Sequence, residues 1–594
     1  MSYNYPVSNF NFTCLPGQGC WGLPEQWNAF NNSIGGRLKV TTPWAAPCYS
    51  DSSCDACKRV NSRYTDGLSR TSQYGAMEFL DWEICGQDNC LLGMKESATQ
   101  LPGSCSLGRL SAYYVEAQSP DDIAKTLLFG QEHDIRISIK NTGHDYFGRS
   151  NTANSLAIWT HNMKNMEFYK AFQPKECDIR YEYVGEIGAG VQAEEAYTYF
   201  ENMGMYVTVG AVGSVGIAGG FGQGGGHGPL GPTFGLMIDN AIEFDVITAD
   251  GQFRTINECI EPDLFWAMRG GGGGTFAVLV NYRFQLHSAV PLNVYSFSAS
   301  FPPTYGELNI RNSNLHRDIL TALATDQPFF SANGIAGYNF LLPDHMVSLQ
   351  IHPSKDTEAI KKITAQWHNF LSTYPGLEIR ENSYHMFPNY TSWASFSQQP
   401  WIAKNGPVGV GIAEAGRFIP RKLFQSEETI STLVDAVVDA MEISYASGAG
   451  GSAQLYATGP ANHPDNSKTG TNPGWRDALW HVIMGGFWTK DVSVSTRKLI
   501  QSAISSSITP LKNITPGGGC YMNEGDWTEM EWQTTFFGGN YEGLERVKRK
   551  WDPRGLFNCW KCVGWTGYDD PGYSCYGQST RVPVATVPLK ALQL

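Results

Sequence analysis

Positive charge is scarce in this chain and nowhere concentrated. Its 594 residues hold 43 Lys+Arg against 56 Asp+Glu, a net charge of −13, with no basic run to track a phosphate backbone or an anionic lipid face. That excludes nucleic-acid and membrane-surface roles. An uninterrupted apolar run of about 18 residues is also missing, which excludes transmembrane helices. The start, Met-Ser-Tyr-Asn-Tyr-Pro, lacks a basic or apolar leader, and we expect a mature chain whose export signal has been removed. Disorder is excluded by a hydrophobic fraction of 42%, and the length suffices for two or more domains.

Cysteine, by contrast, is plentiful and unevenly placed. Of 14 cysteines, eight (Cys14, Cys20, Cys48, Cys54, Cys57, Cys85, Cys90, Cys105) crowd the first 105 residues and four (Cys520, Cys559, Cys562, Cys575) crowd the end. An even number in turn-rich sequence predicts disulfide staples in an oxidising compartment. Cys54-x-x-Cys57 and Cys559-x-x-Cys562 have no matching second pair nearby, so zinc is not expected. Sequons at Asn11, Asn31, Asn389 and Asn513 fit a secreted glycoprotein. The competing reading is a cytosolic protein with many free thiols.

Along the chain, Ser119-Pro120-Asp121-Asp122 signals a helix start, with Ile123, Leu127 and Leu128 on one face. Ile135, Ile137 and Ile139 then alternate with Arg136, Ser138 and Lys140, which predicts a strand ending at Asn141-Thr142-Gly143-His144-Asp145. Further on, Ala241–Thr248 is a strand with a hairpin at Ala249-Asp250-Gly251. Helices are expected over 355–371, 426–442 and from Tyr541 to Trp551, with strands at Ser348–His352 and Ser452–Ala457.

Between Gly210 and Gly235 there are 12 glycines in 26 residues. A linker would be serine-rich, whereas this run carries Val, Ile, Ala and Phe between the glycines, so its backbone is expected to pack closely against something buried. A second run follows Arg269. Gly222-Gln-Gly224-Gly-Gly-His-Gly228 fails the Gly-x-Gly-x-x-Gly context, and no Walker lysine exists, so a nicotinamide Rossmann site and an NTPase are disfavoured. A pyrophosphate cradle of another kind stays open.

Five ordered motifs carry a resemblance. They are Ile137-Ser-Ile-Lys-Asn-Thr-Gly-His-Asp-Tyr-Phe-Gly148, Val212-Gly-Ser-Val-Gly-Ile-Ala-Gly-Gly-Phe-Gly-Gln-Gly-Gly-Gly-His-Gly228, Gly235–Gly251, Asp263-Leu-Phe-Trp-Ala-Met-Arg-Gly-Gly-Gly, and Tyr521-Met-Asn-Glu with Phe537–Phe557. Together they resemble the berberine bridge enzyme-like oxidases of the vanillyl-alcohol oxidase and para-cresol methylhydroxylase superfamily. The resemblance implies an α+β fold. Its FAD-binding domain would be split into 109–289 and 511–594, around an antiparallel-sheet-plus-helices substrate domain at 290–510 and after a disulfide-rich extension at 1–108.

It also implies FAD joined covalently to His144, where a lone histidine would otherwise be read as a hydrogen-bonded loop residue. Bicovalent relatives add a cysteine in Cys-Pro-Thr-Val-Gly; here Val212 stands in its place and cannot form a thioether, so a single link is expected. Further flavin contacts implied are Lys140, Asn141, Thr142, Gly143, Asp145, Gly210, Ser214, Val215, Gly216, Gly219, Gln223, Gly224, Asn240, Val246 and Asn540. Val215 falls at the family's oxygen-gating position, which favours oxygen as acceptor. Sugar-oxidising relatives place a tyrosine base where Glu524 stands, and a carboxylate walled by aromatics there would have a raised pKa. Its bland reading is an ion-paired turn residue. Tyr521, Asn523 and Tyr541 are expected to line the site, with His481, Tyr384 and Glu414 as further candidates. The expected activity is hydride transfer from an alcohol or amine to FAD, with oxygen reduced to hydrogen peroxide. The competing readings are a dehydrogenase with another acceptor and a non-redox carbohydrate-binding protein.

Overall fold

The structure is a computed structural model that describes residues 12–83, 90–93, 105–301, 310, 314–399, 402, 408–460, 462–463, 469–570, 573 and 576. Asn11, Cys85 and Cys575 lie outside the described residues. The helix expected after Ser119 forms as Pro120–Glu132. Ser119 Oγ accepts the Asp122 N–H while the Asp122 carboxylate accepts the Ser119 N–H, a reciprocal cap that satisfies two helix-end donors. Ile123 and Leu127 are fully buried, but Leu128, expected on the same face, is exposed.

That helix delivers the strand Ile137–Lys140 to a four-stranded sheet, in the order Leu38–Val40, Tyr113–Glu116, Leu156–Trp159, Ile137–Lys140. The last three strands run parallel and the first antiparallel. A second sheet is antiparallel, ordered Met166–Phe172, Tyr181–Gly188, Val278–Gln285, Ala241–Ile247, Phe253–Asn257. Its last pair is the hairpin expected at Asp250-Gly251.

The third sheet has seven antiparallel strands, ordered Glu378–Phe387, Leu292–Ser300, His345–Pro353, Ala336–Leu341, Ser452–Ala457, Ala478–Trp488, Gly411–Pro420. Side chains alternate between the two faces of a strand. Ala453, Leu455 and Ala457 therefore join a core shared with the helices Asn314–Ala332, Glu427–Ala446 and Val494–Ser507, while Gln454 and Tyr456 face a cavity on the other side. The helix expected over 355–371 is broken into Ala359–Ile363 and Ala365–Thr373. At the break, Thr364 Oγ1 bonds the Ile360 carbonyl and meets the Tyr384 hydroxyl at 3.0 Å, the local competition that unsettles threonine in helices.

Cysteine pairing departs from simple end-stapling. Pairs form at Cys14–Cys20, Cys48–Cys57, Cys90–Cys105, Cys177–Cys259 and Cys559–Cys562, so one staple sits mid-chain. Cys54 and Cys520 are free thiols. Among the described residues, no helix is long and apolar enough to cross a membrane.

Candidate functional site

The two glycine runs meet back to back. A Cβ on Gly273 would fall 2.9 Å from Gly220 Cα, and one on Gly216 would fall 2.4 Å from Asn141 Nδ2. Neither contact tolerates a side chain, which is why these loops are glycine. Asn141 lies against Gly216 and Gly219 of the first run, donating to the Ala189 carbonyl at 2.5 Å, while its Oδ1 is buried without a partner.

Above these loops lies a cavity of about 370 Å³. Its floor comes from the 141–145 loop, the glycine runs and Val215; its roof is the seven-stranded sheet, with Tyr338, Phe340, Gln454, Tyr456, Glu414 and Ile483; Tyr521, Asn523 and Glu524 close one end. No lysine lines it among the described residues, and Arg149 is paired with Asp145. Anionic groups must then be held chiefly by backbone N–H of the glycine loops. The orphaned Asn141 oxygen and this glycine cradle suit a dinucleotide such as FAD.

Electrostatics divide the cavity's acids. Glu524 accepts from His227 Nε2 at 2.9 and 3.0 Å and lies 3.3 Å from His481 Nδ1. Burial alone would raise its pKa, but His227, by charge and hydrogen bond, and then His481 hold it down to about 2. The raised value expected from an aromatic wall is therefore reversed, because histidines and not only aromatic rings surround it. Glu414 is pushed well above the usual carboxylate range by burial and by the Glu524 charge. The two carboxyls are thus driven apart, Glu524 toward its ionised form and Glu414 toward its protonated one. His144 Nε2 sits 2.8 Å from Ser214 Oγ, and burial depresses its pKa to about 3, which keeps the ring neutral.

A family model described as "FAD binding domain" matches residues 111–257, and one described as "Berberine and berberine like" matches 520–562. A protein of Arthroderma benhamiae described as an uncharacterized FAD-linked oxidoreductase is 33% identical over 583 residues, covering 94% of this chain and 95% of the relative. This chain belongs to the berberine bridge enzyme-like FAD-linked oxidoreductases. Among solved structures, the VAO-type flavoprotein MtVAO615 of Myceliophthora thermophila superposes with a TM-score of 0.80 at 26% identity, over 93% of this chain and 97% of that one. The glucooligosaccharide oxidase of Acremonium strictum, described with a 6-S-cysteinyl, 8α-N1-histidyl FAD, shares the fold with a TM-score of 0.64 at 18% identity, over 90% and 99% of the two chains.

For this FAD-linked oxidoreductase, the structure brings Asn141, Thr142, Gly143, His144, Asp145, Gly210, Val215, Gly216, Gly219, Gln223, Tyr521 and Glu524 to one cavity. Ser214 stands behind His144 and Gly224 against Asn523. Several expected contacts are elsewhere. The Lys140 amino group is enclosed by the carbonyls of Gln73, Tyr74 and Ala76. Asn240 braces Phe234 and Leu236. Val246 is fully buried in the second sheet. Asn540 binds the Thr469 and Thr471 carbonyls, and the Tyr541 ring packs on Trp532 and Phe537. Tyr384 lies on the edge strand beside Thr364. Tyr338, Tyr456 and Gln454 are cavity residues that sequence reasoning missed, since nothing shows which face of a doubly covered strand meets a ligand. His227 was visible as the lone polar side chain within Gly-Gly-Gly-His-Gly.

Proposed function

We propose that this protein is a secreted FAD-dependent oxidase that takes hydride from an alcohol- or amine-bearing small molecule. The observation that carries the reading is that one cavity holds both His144, poised as a covalent anchor, and the Glu524 carboxylate, set between His227 and His481. Bound FAD would supply a two-electron acceptor that passes its electrons to oxygen, giving hydrogen peroxide. The glycine loops and Asn141 would hold it, and His144 would tether it. Since Ser214 engages Nε2, Nδ1 is the nitrogen left for the link. Val212 lines the cavity where bicovalent relatives carry cysteine, which supports a single bond.

In this reading Glu524 removes the substrate's hydroxyl or ammonium proton, while the protonated Glu414 donates a hydrogen bond to a neighbouring substrate oxygen. Val215, also on the cavity wall, leaves room for oxygen. Disulfides and the exposed Asn513 sequon support an extracellular, glycosylated protein; Asn31 and Asn389 are half-buried. We also assign 109–289 with 511–594 to FAD and 290–510 to substrate. The test is a screen of alcohols, sugars, phenols and amines for anaerobic bleaching of flavin absorption, followed by peroxide measurement in air. Bleaching without peroxide would make the enzyme a dehydrogenase. A purified protein without flavin absorption would overturn the whole reading.

A further inference from the structure

His227, His481 and Glu524 come from the glycine run, the strand Ala478–Trp488 and the loop after Cys520. Their ligand atoms nevertheless lie within 4.8 Å of one another. The closest approaches to the carboxylate are 2.9 Å from His227 Nε2 and 3.3 Å from His481 Nδ1. Atoms bound to one tetrahedral zinc at about 2.0–2.1 Å are themselves separated by roughly 3.3 Å, so the spacing needs little adjustment. We propose that these three side chains form a binding site for a late first-row divalent cation such as Zn²⁺, with its fourth position open to the substrate cavity.

Two further observations point to a ligand there. His481 is 1% exposed; its Nδ1 faces the Glu524 carboxylate at 3.3 Å, and its Nε2 has no hydrogen-bond partner. A cation between Nδ1 and the carboxylate would replace this long contact by direct ligation of both groups. His227 is also pre-set: its Nδ1 lies 2.7 Å from Thr458 Oγ1, which turns Nε2 toward the carboxylate, as outer-sphere partners turn metal-bound histidines. His227 and Glu524 both line the cavity, so three protein ligands are present and one position is open to solvent or substrate, the arrangement of an accessible zinc site. Two imidazoles and one carboxylate select zinc-like ions over magnesium.

The consequence rests on the reading of Glu524 as base. A cation holding that carboxylate removes the proton acceptor, so an occupied site is an inhibited one. The site itself is tested without substrate. Chelator-treated, flavin-loaded protein is dialysed against Zn²⁺ or Mg²⁺ and the bound metal measured by elemental analysis. One zinc per chain is expected, with no magnesium. His481→Ala and Glu524→Gln should each weaken zinc binding by roughly tenfold or more. His385→Ala, which removes the half-exposed His385–Glu381 pair, should leave it unchanged. Circular dichroism and retained flavin verify that each variant is folded. Wild-type protein that takes up no zinc, or a His481→Ala variant that binds as wild type, overturns the proposal. A wrong assignment of Glu524 as base would leave the dialysis result untouched and would show only as an unchanged flavin-reduction rate in Glu524→Gln.

Discussion

Glu524 and Glu414 are the same side chain in one cavity, and only their neighbours distinguish them. If Glu524 takes the substrate proton, Glu524→Gln should slow anaerobic flavin reduction by about 10²–10⁴-fold, the usual worth of a general base, with the flavin spectrum retained. Stopped-flow reduction rates decide this, and an unchanged rate removes Glu524 from the chemistry. His144→Ala should leave all flavin fluorescence in the supernatant after acid precipitation, whereas wild-type protein keeps it in the pellet. A third carboxyl, Glu78, is buried with neither oxygen hydrogen-bonded, and burial pushes it up to about 8. Between the ordinary glutamate value and 8, the folded state keeps a proton that the unfolded chain has released. Stability therefore falls as pH rises through that window, by about 1.4 kcal/mol per unit. Glu78→Gln should raise the melting temperature, more at pH 8 than at pH 5; an equal shift at both would refute the linkage.

At the scale of elements, the glycine loops and the mid-chain disulfide matter most. Gly216→Ala would drive a methyl into Asn141, and the loop can yield only by widening the cradle. Flavin content after purification should fall sharply while the far-UV spectrum is kept. The Cys177–Cys259 bond spans 82 residues, and on the chain-entropy account it contributes about 4–5 kcal/mol. Replacing both cysteines by serine should lower the melting temperature well beyond the loss from opening Cys14–Cys20, which spans only 6 residues. Local signals of this kind were legible in sequence. The Ser119 cap, the Asp250-Gly251 hairpin and the Tyr541–Trp551 helix formed where their residues predicted, because each is decided within a few neighbours. The helix break at Thr364 was not legible, since a threonine hydroxyl that bonds the carbonyl four residues back is compatible with an unbroken helix as well, and its contact with Tyr384 lies 20 residues away in sequence.

For the whole molecule, the site exists only when distant segments meet. Asn523 Nδ2 donates to the Gly220 carbonyl across 303 residues, and Gly226 N–H donates to the Tyr521 hydroxyl across 295. A cofactor lying in such a cavity ties the segments together, so flavin-loaded protein should melt above flavin-free His144→Ala, and added FAD should raise the variant's melting temperature and narrow the gap. Equal melting temperatures would show that flavin does not bridge them.

The sequence by itself determined the cofactor class and the α+β fold and singled out His144 and Glu524 as candidates, since the resemblance rests on ordered motifs and on glycines whose backbone demands are local. It also settled that no cysteine stands at position 212. Only the tertiary structure decided which residues share the cavity. Asn540 and Tyr541 turned away from it, the alternating strand faces turned Tyr338 and Tyr456 toward it, and His227 met His481 around Glu524. That last meeting reversed the direction of the pKa shift expected of the carboxylate, because a pKa is set by whatever surrounds the group in space, and its partners lie 297 and 43 residues away in sequence.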